Sequence, residues 1–185
     1  MPAIFENITC NFIGDFKVGD NILAGADALC RLWEQNEGCT FNKLMVVQAG
    51  SIVEAALDQI IYRAQRYVRE GVPNIPANEL ETIRGTTIER FNNIIQAMRG
   101  RSLLDGLGAN IYDELDCLRQ LRNRIHIQFD DRPVNVGRDD SEAFADETVA
   151  WALRLCIQVL TYLSNEYPRP AGLAAYAHNI SIPRS

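Results

Sequence analysis

The chain has 185 residues, 47% apolar and 23% charged, with a formal net charge of −6. That length suits one domain with a sizeable core rather than two, and the acidic balance argues against a protein that coats nucleic acid nonspecifically over its whole surface. Five scattered cysteines with no CxxC pair argue against a zinc site or a disulfide framework and read as mostly reduced core residues.

Sixteen of the eighteen basic residues are arginine, the side chain better suited to bidentate phosphate recognition. The N-terminal MPAIFENITC has neither a basic region nor an apolar stretch of the kind a signal peptide needs. No apolar run approaches membrane length, so the expectation is a cytoplasmic protein with no membrane partner.

Residues 1–17 show no clear period and read as an irregular arm. Asp20 is a candidate N-cap for a helix to about Gln35, with Ile22, Leu23, Ala26, Leu29 and Cys30 on one face. The longest helix follows, behind Thr40 and ahead of Gly71: Phe41, Leu44/Met45, Ile52/Val53, Ala56/Leu57, Ile60/Ile61 and Ala64 recur at three- and four-residue steps. Pro73 and Pro76 make 72–76 a loop, and a short helix over 77–84 begins near Asn78. Thr87 can cap a helix carrying Ile88, Phe91, Ile94/Ile95 and Met98, before a glycine-rich link.

Another helix starts near Asn110 and turns Ile111, Leu115, Leu118, Leu121 and Ile125 inward. After a polar loop, Ser141 can cap a last long helix that buries Phe144, Trp151, Leu155, Val159 and Leu163 and stops before Pro168. Residues 168–185 form an extended tail. No strand pattern competes, so the expected fold is all-α, a bundle of four major helices with irregular N- and C-terminal segments around a core of about 18–167.

The chemistry gathers at Leu121-Arg122-Asn123-Arg124-Ile125-His126. An i,i+4 step turns a helix by about 400°, so Arg122 and His126 share a face, and Arg119 lies on the same flank of the apolar stripe. A guanidinium there can hold a phosphate and an imidazole can move a proton near neutral pH. Arg124 is a further binding candidate in the same run. Cations also gather at helix C-termini without doing chemistry, because the macrodipole favours them. Glu54 and Asp58, one turn apart on the longest helix, are candidates for an acid that orients the motif or pairs with its arginine. No residue set suggests a cofactor or a metal site; Asp130, Asp131, Asp139 and Asp140 lack calcium-loop spacing.

At "LRQLRNRIHIQ" the sequence resembles the HEPN superfamily (higher eukaryotes and prokaryotes nucleotide-binding domains), whose signature is an Arg, often followed by Asn, and then a His near the end of a long helix. The resemblance extends over most of residues 18–167. It implies an all-α bundle of four to five helices, often dimeric, acting either as a metal-independent ribonuclease of toxin–antitoxin or antiviral systems, or as an inactive module for nucleotide, RNA or protein binding. The family leaves four to six residues between Arg and His. Here Arg122 and His126 have three between them and Arg119 and His126 have six, so either arginine can be the functional partner. The implied catalytic set is Arg119, Arg122, Asn123 and His126. Because His178 lies in the tail, the second proton-transfer group is expected from His126 of a second copy, in a composite homodimer cleft. The implied partners are RNA or a nucleotide, a second copy, and a protein partner or antitoxin.

Overall fold

The computed structural model describes residues 4–67, 72–125, 136–172 and 178–184. In chain order these form β1 (Ile4–Cys10), α1 (Phe16–Glu34), α2 (Asn42–Arg66), α3 (Ala77–Arg84), α4 (Phe91–Arg99), a 3-10 turn at Asp105–Leu107, α5 (Ile111–Asn123), α6 (Asp140–Ala143), α7 (Asp146–Glu166) and β2 (His178–Arg184). The fold is largely helical, as the periodicity predicts.

Helix α2 is the spine. It packs against α1, α3, α4, α5 and α7, and it buries Met45, Val46, Ala49, Ile52, Val53, Ala56, Leu57, Ile60, Ile61 and Ala64. Because neighbours surround it, its apolar positions run around much of the cylinder instead of one stripe. By length and composition alone this helix could cross a membrane, which corrects the expectation that no segment approaches that length. However, 61% of its most apolar stretch is buried by the rest of the protein, as in a core helix.

The two chain ends depart most from the sequence reading. Among the described residues each holds a strand: β1 and β2 form an antiparallel pair, with Ile4 opposite Arg184 and Cys10 opposite His178. Ile8, Cys10, Ile180 and Ile182 turn into the core, and Glu6 pairs with Arg184 on that same face at the end of the sheet where the chain termini lie. The pairing joins segments at opposite ends of the chain, so neither strand completes its backbone hydrogen bonds locally and no local period announces it.

Helix boundaries move for identifiable reasons. The first helix is capped by Asp15, not Asp20: its carboxylate accepts from Val18 N–H at 3.0 Å. The fully buried Gln59 fixes that start, because its Oε1 accepts the N–H groups of Gly14 and Asp15 at 3.1 and 2.9 Å. Thr87 caps nothing; α4 begins after Arg90, which sits at φ 68°. Ser141 lies inside the short α6, and α7 starts after Ala145. Buried Asn42 separates the two helices by donating Nδ2 to the Phe144 carbonyl and to Asp146 Oδ1, both at 2.9 Å. Phe144 is still buried, as expected, but outside α7. Trp33 and Trp151, read as core, are half-buried against it.

Arg63, near the end of α2, is fully buried. Its Nη1 donates to the carbonyls of Phe12 and Tyr167 at 3.1 and 2.5 Å, and Nη2 donates to Pro168 at 3.1 Å. One guanidinium thus joins the segment after β1 to the segment after α7. Gly14 must be glycine for this approach, since a Cβ there would lie 2.5 Å from Arg63 Cγ. Tyr67 reinforces the join by donating its hydroxyl to the Gly14 carbonyl at 2.9 Å.

Replacing Arg63 by Met keeps the apolar stem and leaves three carbonyls without their donor. The expected cost is about 3–5 kcal/mol, read as a lower urea midpoint. A midpoint within experimental error of the parent would refute the role assigned to Arg63.

Candidate functional site

The arginine motif ends α5, which lies along α2. Gly50 sets the closeness of the two helices: a Cβ there would meet Arg122 Cβ at 3.0 Å and Cγ at 3.2 Å, with Leu118 Cγ at 3.6 Å. The Arg122 stem therefore lies over bare backbone and its head reaches along α2 to Glu54. Nη2 donates to Glu54 Oε2 at 2.5 Å, with the two side chains 33% and 20% exposed. Nη1 donates to Asn123 Oδ1 at 3.3 Å.

The other candidates have separate places. Arg119 pairs with Asp116 on its own helix at 2.8 Å, and Asp116 also accepts from Gln120. Burial alone would raise the Asp116 pKa, but those hydrogen bonds outweigh it and hold the carboxyl below its ordinary value. Arg124 does not face the Arg122 site. It is buried, donates to the carbonyls of Gly137 and Arg138 at 3.0 and 2.6 Å, pairs with Asp140 at 2.9 Å, and lies 5.5 Å from the Phe144 ring centroid. Its work is to tie the end of α5 to α6. His126 lies outside the described residues, as do Asp130 and Asp131.

The structure thus brings together Arg122, Asn123 and Glu54, while Arg119 and Arg124 are each engaged elsewhere. Asp58 lies one turn beyond Glu54, with no hydrogen bond or ion pair among the described residues. Partial burial raises its pKa, and the neighbouring Glu54 charge adds to the shift. Both acids line an open cavity of about 350 Å³ with Val18 of α1, Ala55, Ile88, Glu89, Arg90 and Ile94. Sequence reasoning singled out the carboxylates but not this cavity, whose other walls come from α1 and from the segment entering α4.

Among the described residues, no group of three or more His, Cys, Asp and Glu is arranged to hold a metal. Cys10 and Cys156 are buried, Cys30 and Cys117 half-buried and Cys39 exposed; all five are free. Burial pushes the Cys10 thiol up to about 12 and Cys117 to about 11, which makes poor nucleophiles. Ser51 Oγ donates back to the Val47 carbonyl at 2.9 Å within its own helix. Compared with known proteins, the chain matches no family, no characterised sequence and no solved structure.

Asp58→Asn removes a desolvated charge beside a like charge, so the variant should melt higher than the parent at neutral pH. The sign follows from the raised folded-state pKa: the Asp58 penalty is absent below its ordinary value of 3.8, grows as pH rises from there to the folded-state value, and stays constant above it. The gap in melting temperature between variant and parent should therefore open with increasing pH. A gap that closes instead contradicts the assigned environment.

Proposed function

We propose that this chain is a HEPN-like, RNA-directed domain, and that it cleaves RNA without a metal at a site built around Arg122 and completed by His126. The observation that carries this reading is the setting of Arg122. It lies on a glycine at the α2–α5 contact, with an amide beside it and a third of its surface open to solvent. A fixed, partly exposed guanidinium suits a phosphate better than a flexible lysine would.

In such a cleavage a base takes the proton of the ribose 2′-OH as that oxygen attacks phosphorus. The P–O5′ bond breaks, and an acid gives its proton to the leaving 5′-oxygen. The products are a 2′,3′-cyclic phosphate and a free 5′-OH. Arg122 stabilises the charge on the five-coordinate phosphorus, and Asn123 orients the guanidinium. With His126 of one copy as base and His126 of a second copy as acid, the active unit is a homodimer. Arg119 is a weaker choice for the phosphate because its side chain is 18% exposed against 33% for Arg122, and each is already held by an acid.

Glu54 favours a second reading on a specific ground: its carboxylate already occupies the Arg122 guanidinium. In that reading the groove is an inactive module that binds a nucleotide, RNA or a protein partner and carries out no transfer. The magnitudes leave cleavage open, because a pair this accessible is worth only about 1 kcal/mol or less. A doubly charged or bidentate phosphate can compete with it.

The discriminating experiment combines the solution mass with cleavage of end-labelled RNA in EDTA. The expected result is a dimer that leaves 2′,3′-cyclic phosphate ends, with activity lost in His126→Ala and reduced about a hundred-fold or more in Arg122→Ala, both variants melting as the parent does. A monomer that cleaves rules out the composite site. RNA binding without cleavage, unchanged in His126→Ala, establishes the inactive module.

A further inference from the structure

The cavity beside Glu54 has no part in the cleavage chemistry above, yet it touches that site directly. Glu54 lines it and also holds Arg122, so the cavity adjoins the Arg122 site through a shared carboxylate. Its volume of about 350 Å³ falls at the small end of ligand pockets. Val18, Ala55, Ile88 and Ile94 supply apolar walls, with Ile88 and Ile94 themselves buried in the core and therefore fixed in place. The polar groups are unequal. Glu54 is engaged by Arg122, Glu89 and Arg90 are exposed at the rim, and Asp58 is half-buried with no hydrogen bond or ion pair among the described residues.

We infer that this cavity is a nucleobase subsite, with guanine as its preferred occupant; the inference rests on the RNA-directed reading and names its substrate class. The apolar walls suit a planar ring, as side chains do that hold a base out of a stack. A carboxylate only accepts hydrogen bonds, so Asp58 selects for adjacent donors. Guanine alone among the four RNA bases presents two neighbouring donors, N1–H and N2–H, to one carboxylate. Adenine and cytosine each offer an exocyclic amine beside a ring acceptor, which the second carboxylate oxygen would repel, and uracil has a single ring N–H between two carbonyls. Because Asp58 is partly desolvated, its hydrogen bonds discriminate more strongly than those of exposed Glu89. Arg122 at one end and Arg90 at the rim offset the acidity that would otherwise repel the nucleotide's phosphate.

The test is calorimetric titration of the full chain with the 5′-monophosphates of guanosine, adenosine, cytidine and uridine, and with ribose 5-phosphate as the baseless control. Guanosine monophosphate should bind about ten-fold tighter than the other three, the discrimination expected of hydrogen bonds to a charged group. Asp58→Asn should abolish that advantage and leave the affinity for ribose 5-phosphate unchanged. Ala55→Leu, which fills the cavity from the helix surface, should bring all four nucleotides down to the ribose 5-phosphate level. Arg122→Ala should weaken every ligand alike. Four equal affinities, unmoved by Asp58→Asn, overturn the base subsite and leave the RNA-directed reading standing. So does RNA cleavage in a protein that binds none of the nucleotides. Failure to bind any nucleotide together with absence of RNA binding and cleavage overturns both.

Discussion

The whole arrangement depends on the buried end of α2, where Arg63 donates to three backbone carbonyls from two distant segments. A buried cation is costly unless its donors are satisfied, and main-chain carbonyls satisfy them only if the chain is brought to the guanidinium. Both the segment after β1 and the segment after α7 are therefore held where they can meet. The β1–β2 pair is the consequence. Two strands from opposite ends of the chain pay a large loop-closure entropy to meet, and a two-stranded sheet alone is marginal. Packing against α1 and α7, together with the Arg63 join, makes the pair stable.

The same end of α2 controls the candidate site from a distance. Gln59 receives the N–H groups of Gly14 and Asp15, which fixes where α1 begins and places Val18 over Glu54 and Asp58. Helix α2 thus has two tasks separated along its length. Its C-terminal part, with Gln59 and Arg63, organises the chain ends. Its middle part, with Gly50, Glu54 and Asp58, faces α5 and the cavity.

Electrostatics at the site run against the overall charge of the protein. In a chain of net charge −6, a polyanion is favoured only where arginine is concentrated and acids are already occupied. Glu54 and Asp116 each hold an arginine, so the acids nearest the motif are neutralised. Asp58 is the exception: it has no hydrogen bond or ion pair among the described residues, and its half-buried carboxylate is a cost to the fold that a ligand with hydrogen-bond donors would offset.

Local pattern was enough for the helical class, the place of the longest helix and most buried positions, because a 3.6-residue period is a local consequence of which face meets the core. It also brought Arg122 and Asn123 together, since neighbours on one helix need no tertiary information. It pointed to Glu54 as a partner for the motif arginine but could not choose it over solvent, because that pairing needs α2 and α5 to approach across Gly50. Only the tertiary structure assigned Arg119 to Asp116 and Arg124 to α6, turned the arm and tail into paired strands, moved the first cap to Asp15, and enclosed a cavity between α1, α2 and the start of α4. Each of these is settled by groups far apart in sequence, where burial and hydrogen-bond satisfaction outweigh any local preference.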